Sequence, residues 1–183
     1  VNQEVVHGIP DKHRIIQEGD IVSLDAGVIY KGYHSDAART HAVGEVSEEA
    51  KKLIQVTKES FFEGIKFAKA GNHLFDISGA IGRYAEERGY GVVRDLCGHG
   101  IGTALHEAPE IPNYEVGRKG VRLRPGMTLA IEPMINIGTH EVDWLDDDWT
   151  VVTRDGSLSA HYENTILITE GEPRILSLTC ENE

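Results

Sequence analysis

Gly19-Asp20-Ile21-Val22-Ser23-Leu24-Asp25, followed by His34-Ser35-Asp36, is matched in plan by Gly126-Met127-Thr128-Leu129-Ala130-Ile131-Glu132, followed by His161-Tyr162-Glu163. In each stretch a glycine precedes a mostly apolar, strand-like run, and a carboxylate falls six positions later. In each, a second carboxylate follows a histidine by two, and a Gly-Glu pair (Gly44-Glu45, Gly171-Glu172) begins eight residues beyond it. The echo reads as an internal duplication in which each half brings two carboxylates. A lone carboxylate at a strand end is ordinarily a solvated edge, but the repetition changes that reading. Glu132 sits in Leu129-Ala130-Ile131-Glu132-Pro133-Met134, and Asp25 follows Ile21-Val22-Ser23-Leu24. A bare charge is costly in such apolar settings and would be neutralised by taking up a proton. Basic residues near these segments are few. Two divalent cations held between Asp25, Asp36, Glu132 and Glu163 resolve the conflict.

His99 adds an imidazole to this set. It lies in Cys97-Gly98-His99-Gly100-Ile101-Gly102, where the flanking glycines are expected to keep its surroundings open and let the backbone bend. Imidazole with carboxylates suits Zn, Mn, Fe or Co, and the excess of carboxylates leans away from a lone structural Zn. Cys97 reads as a small apolar residue, with a soft-metal role the alternative. His106 and His7 stand beside Pro or Gly turns, where binding residues tend to sit, although either reads equally well as a loop histidine.

At 183 residues the chain is about one domain, with ordinary hydrophobic (40%) and charged (26%) content for a soluble globular protein. The net charge of −12 argues against nucleic acid or an anionic membrane as the main partner. No apolar run is long enough to span a bilayer, and no signal peptide is evident. Cys97 and Cys180 make no disulfide framework, which fits a reducing cytosol. Strands are expected over 20–25 and 27–32 with a bend at Ala26-Gly27, then at Val92-Val93 and near 128–132, 149–153, 164–169 and 174–178. Asp155-Gly156 reads as a hairpin turn. A helix N-capped by Ser47 carries a stripe of Leu53, Ile54, Phe61, Ile65 and Ala68. A second runs from about Leu74 to Arg88 with Leu74, Ile77, Ile81, Tyr84 and Ala85 inward. This pattern predicts an α+β fold, a curved, mostly antiparallel sheet with helices over one face.

The ordered set Asp25, Asp36, His99, Glu132 and Glu163 resembles the five-ligand dinuclear site of the methionine aminopeptidase and prolidase superfamily, and within it the type I methionine aminopeptidases. Further matching stretches are His7-Gly8-Ile9-Pro10, Cys97 to Gly102, His106-Glu107-Ala108-Pro109, Pro125-Gly126-Met127-Thr128 with Ile131-Glu132-Pro133-Met134, and Trp149-Thr150-Val151, and the likeness runs from Val1 to about Leu178. The resemblance implies the pita-bread fold with pseudo-two-fold halves, Asp25 corresponding to Glu132 and Asp36 to Glu163. It implies a single metallopeptidase catalytic domain over 1–183 that lacks the family's usual N-terminal segment. Asp25 would chelate one divalent ion, Asp36 and Glu163 would bridge two, and His99 and Glu132 would complete the second. His106 would contact the scissile amide and His7 would help place the substrate. Leu105 and Trp149 would line the methionine pocket. Asn2, Glu4 and Ser159 match a structural monovalent-cation site in some relatives. Two positions depart from the pattern, Asn164 where histidine is frequent and His161 where glutamine is common, and neither is expected to touch the ligand set.

The implied activity is removal of N-terminal methionine from nascent proteins and peptides by a metal-activated hydroxide, with Glu132 as proton shuttle. The implied setting is a monomer in the cytoplasm, associated with ribosomes. The rival readings are a proline-directed peptidase of the same fold and a non-catalytic binding protein that keeps the fold.

Overall fold

The computed structural model describes residues 1–178, so Cys180 lies outside the described residues. The elements, in order, are β1 (Glu4–Val6), β2 (Ile21–Tyr30), β3 (Tyr33–Ala42), α1 (Glu48–Ile65), α2 (Leu74–Glu86), β4 (Gly91–Val92), β5 (Gly98–Gly100), β6 (Glu107–Ile111), β7 (Thr128–Ile131), β8 (Met134–Asn136), β9 (Val142–Trp144), β10 (Val151–Thr153), β11 (Ser159–His161), β12 (Asn164–Leu167) and β13 (Arg174–Ile175). The strands form a five-stranded sheet β13-β12-β7-β5-β6, two three-stranded sheets, β11-β8-β4 and β1-β10-β9, and the hairpin β2-β3. Every pairing among the described strands is antiparallel.

Both helices form where the apolar stripes lie. Ser47 caps α1 by accepting from the Ala50 amide at 3.1 Å, and Glu48 and Glu49 occupy the positive end of its dipole. Asp76 closes the start of α2 by accepting from the His73 amide at 2.8 Å. The helices cover one side of the sheet. Phe61, Leu74, Ile77 and Ile81 pack there with Leu129, Ile131, Tyr162 and Ile166. Each such fully buried side chain contributes roughly 1.5–3 kcal/mol of hydrophobic stabilisation. Side chains alternate between faces along a strand, so Ala130 and Glu132, and likewise Glu163 and Thr165, project from the opposite side.

Three expectations change. β2 is one continuous ten-residue strand with no bend at Gly27. It pairs with β3 residue by residue, and Lys31 and Gly32 make the turn with φ of 51° and 82°, the left-handed pair that tight hairpins use. Asp155-Gly156 does turn the chain, but it joins β10 to β11, which belong to different sheets, so no hairpin forms. Gly98-His99-Gly100 is a central strand rather than a bent loop. β5 lies between β6 and β7, and a Cβ on Gly98 would strike the Ala130 carbonyl oxygen, while one on Gly100 would strike that of Ala108. The glycines are there for close strand approach, with no left-handed backbone at either.

Gly98→Ala is therefore expected to push β5 from β7 and to misplace both His99 and Glu132. Its denaturant midpoint should fall by an amount equivalent to roughly 1–3 kcal/mol, the usual range for overpacking, and divalent-metal affinity measured on the folded variant should fall with it.

Candidate metal centre

Strand alternation assembles the concave face. Asp25 on β2 lies opposite Ala38 on β3, and Asp36 lies opposite Gly27, so Asp25 and Asp36 are diagonal neighbours on one face. β3 then meets the chain at 161–165. Ala38 and Glu163 exchange backbone hydrogen bonds, 2.9 Å from the Glu163 amide and 3.4 Å from the Ala38 amide. Thr165 Oγ1 accepts from the Asp36 amide at 2.8 Å and donates to the Asp36 carbonyl at 3.0 Å. Asn164 pairs with Ile131, and the Tyr162 amide donates to the Pro133 carbonyl at 3.2 Å, a register that sets Glu132 opposite Glu163. His99 lies opposite Ala130 and so presents to the same face. Small residues (Gly27, Ala38, Ala130) floor the space between the donors.

The two carboxylate pairs each span neighbouring antiparallel chain segments, yet they differ in register. Glu132 faces Glu163 directly, whereas Asp25 and Asp36 are offset by two residues. The second pair is also separated by β8 to β11, where the first has only a two-residue turn.

The structure brings Asp36, His99 and Glu163 together, with one donor atom of each within 4.8 Å of the others. Glu132 Oε1 lies 3.5 Å from His99 Nε2. His99 Nδ1 lies 2.8 Å from the Gly100 carbonyl, which holds its proton on Nδ1 and leaves Nε2 free as a donor atom. Asp25 lies at the edge of this face, and its side chain reaches Asp36.

The electrostatics of this face favour a cation. Desolvation first, then Glu132, Asp36 and Asp25, push Glu163 from its ordinary 4.5 up to about 10, and Arg39 offsets only part of this. Glu163 is 1% exposed, and its Oε1 has no hydrogen-bond partner. Desolvation, then Asp36 and Glu132, also raise Asp25, against a lowering by His161. Arg39 cannot neutralise the cluster, because its guanidinium is spent on the carbonyls of Ala38 and Glu163 and on Asn164 Oδ1. An orphaned buried carboxylate oxygen, among further carboxylates and a free imidazole nitrogen, is a donor set that fits a hard or borderline divalent cation.

Other predicted residues surround this face. His106 is exposed, and its ring stands edge-on to His99 with centroids 4.3 Å apart. Leu105 is half-buried and packs over Gly27 beside Asp36. His7, at a left-handed φ of 58°, stacks on the exposed Trp149 with centroids 4.9 Å apart. The Asn2 carbonyl accepts from the Ser159 amide at 3.0 Å, so those two meet, while Glu4 pairs with β10 nearby. Burial pushes the Cys97 thiol up, away from the thiolate a soft metal needs.

One reading is overturned. His161 does approach the ligand set, its Nε2 3.6 Å from Glu132 Oε2. The signal was present in the sequence. A residue two before Glu163 in extended chain shares its face. Asn164 instead projects to the other side, where it bonds Arg39 and Ser177.

Residues 1–170 match the model of metallopeptidase family M24. The chain is 60% identical over 181 residues to a methionine aminopeptidase of Clostridium acetobutylicum, an alignment covering 99% of this chain and 72% of that one. It is 52% identical over 170 residues to methionine aminopeptidase 1 of Bacillus subtilis, covering 93% and 68%. The crystal structure of the Thermotoga maritima methionine aminopeptidase superimposes with a TM-score of 0.94 at 50% identity, over 97% of this chain and 72% of that one. The prolidase from Pyrococcus horikoshii superimposes at 0.76 with 28% identity, over 97% and 45%. The chain belongs to metallopeptidase family M24 and has the pita-bread fold shared by methionine aminopeptidases and prolidases.

Without metal, the acid cluster should make stability fall with pH. Between about 4.5 and 10, folded Glu163 keeps a proton that the unfolded chain has lost, so unfolding releases a proton and becomes easier as pH rises. Metal-free protein is expected to melt lower at pH 8 than at pH 5.5, the loss reaching up to about 1.4 kcal/mol per pH unit. Glu163→Gln should flatten that dependence. Melts in chelator at both pH values check it, and equal slopes for the two proteins would refute it.

Proposed function

We infer that this chain is a metal-dependent aminopeptidase that removes N-terminal methionine from proteins and peptides. The observation that carries the reading is the cluster of Asp36, His99 and Glu163, with its orphaned carboxylate oxygen, in a chain so similar to methionine aminopeptidases. The proline-directed alternative is less supported, since the likeness to prolidase is weaker in identity and in superposition. A non-catalytic role is disfavoured because all five donor residues are retained.

Asp25, Asp36, His99, Glu132 and Glu163 are proposed as the residues that hold the metal. Two divalent ions, of Co, Mn, Fe or Zn, balance four carboxylates better than one. When bound, they supply Lewis-acid charge that acidifies a water and polarises the scissile carbonyl. Glu132 carries a proton from the attacking water to the leaving amine. His106, exposed beside His99, donates a hydrogen bond to the scissile amide as negative charge develops there. His7 and Trp149, held together by stacking, place the substrate, and Trp149 and Leu105 line the methionine pocket. Asn2, Glu4 and Ser159 are proposed to hold a monovalent cation that ties β1 to β11. None of the described helices is long and apolar enough to cross a membrane. The remaining proposals are a monomer that acts on nascent chains near the ribosome, in the cytoplasm.

Methionine release from Met-Ala-Ser, compared with cleavage of an Ala-Pro peptide in the presence of Mn(II) or Co(II), tests the reading. Met-Ala-Ser should be cleaved, the Ala-Pro peptide should not, and chelation should abolish the activity. Cleavage of the Ala-Pro peptide in preference would favour the prolidase reading.

His106→Ala is expected to lower kcat by roughly 10²-fold or more, as for other donors to a developing oxyanion. Its metal content by mass spectrometry should match wild type. A metal-free variant, or one of unchanged turnover, would remove His106 from this role.

A further inference from the structure

Glu132 is held between two imidazoles. His99 Nε2 faces Oε1 at 3.5 Å, and His161 Nε2 faces Oε2 at 3.6 Å. The first belongs to the proposed ligand set; the second has no assigned task. His161 is 2% exposed, and its Nε2 has no hydrogen-bond partner. A buried polar atom left bare is destabilising, so a side chain of this kind is retained at a cost unless it gains a partner.

The backbone at His161 is firmly fixed. Thr40 Oγ1 accepts from its amide at 2.8 Å and donates to its carbonyl at 3.0 Å, and the residue pairs with Met134 across β11 and β8. Glu132 lies just beyond the end of β7, on a side chain with more torsions to adjust. A shift of Oε2 by less than about 1 Å would bring the pair to charge-assisted hydrogen-bond distance, about 2.7–2.9 Å.

We propose that His161 is a positioning residue of the metal centre, donating from Nε2–H to Glu132 Oε2 and so turning Oε1 toward His99 and the bound ion. The inference rests on the reading that Glu132 is a metal ligand. His161 acts through Glu132 rather than on the ion, because it faces the oxygen that His99 does not. Such partners fix the orientation of a ligand and keep its torsional freedom from weakening the site.

Calorimetric titration with Mn(II) on the whole chain tests this, using wild type, His161→Leu and His161→Gln, with melts of the metal-free forms to establish folding. Leucine keeps the bulk and removes the donor, whereas the glutamine amide can still donate to Glu132. The expected result is a Kd raised about 10–100-fold in H161L and close to wild type in H161Q. Should H161L fail to fold, His161→Asn, whose amide is too short to reach Glu132, takes its place with the same expectation. Wild-type affinity in H161L would overturn the proposal. Equal weakening in H161L and H161Q would also overturn it, since it would make His161 a ligand itself or a packing residue. No Mn(II) binding by the wild type would instead overturn the metal reading beneath it.

Discussion

Two backbone hydrogen bonds between Ala38 and Glu163 hold the halves of the centre against each other, and the rest of the site depends on them. They extend into a seam in which the hydroxyls of Thr165 and Thr40 each clasp both backbone groups of the residue opposite, Asp36 and His161. β2 and β3 form a two-stranded sheet of their own, and an isolated hairpin is marginal in water, so the seam supplies much of what holds them in place. The outer part of this hairpin keeps Val28, Ile29, Tyr30 and Tyr33 exposed and is tied down by the His34 amide, which donates to the Gly102 carbonyl at 2.7 Å, while the inner end is anchored where Ala38 is fully buried. The same seam sets Asp25 and Asp36 against Glu163 and His161. Placement of the carboxylates is thus a consequence of strand pairing and owes little to side-chain preference.

That placement is unfavourable by itself. The seam brings carboxylates together without a lysine or arginine among them, and Arg39 is occupied with two carbonyls and Asn164 Oδ1. The stability that holds the arrangement comes from elsewhere, chiefly from the contacts of α1 and α2 with Leu129, Ile131, Tyr162 and Ile166 on the reverse of the same strands. The chain at 129–132 and at 162–166 carries core on one side and a carboxylate on the other. Net stabilities of folded domains are only about 5–15 kcal/mol, so a cation that relieves the repulsion acts on the fold as well as on the chemistry, and binding and folding are linked.

His99 illustrates how local reading and tertiary context divide the explanation. Its glycine neighbours were legible as unusual, and the expected reason was freedom to bend. The structure assigns a different cause. β5 is pressed between β6 and β7, where any Cβ at 98 or 100 would meet a carbonyl oxygen. The candidate ligand was legible in the sequence, but the force that selects its neighbours acts between strands that are remote in the chain.

Much of the centre was legible because strand alternation and repetition act at short range. The spacing of Asp25 and Asp36, and of Glu132 and Glu163, was enough to single out four carboxylates as candidate ligands, and the apolar stripes marked both helices, since 3.6-residue periodicity is a local property. Alternation alone also pointed His161 to the face of Glu163, a signal that was there to be read. Other features depend on partners that no short segment contains. That Asp155-Gly156 changes sheets follows from which strands flank β10 and β11. That the carboxylate pairs differ by two residues in register follows from the turn at Lys31-Gly32 in one half and the long excursion through β8 to β11 in the other. The sequence by itself determined which residues carry the charge and which faces are apolar, because these are properties of side chains and of local period. Only the tertiary structure decided which oxygens meet which imidazoles, because that is set by hydrogen-bond register between strands as distant as β3 and β12, and register is a property of the assembled sheet.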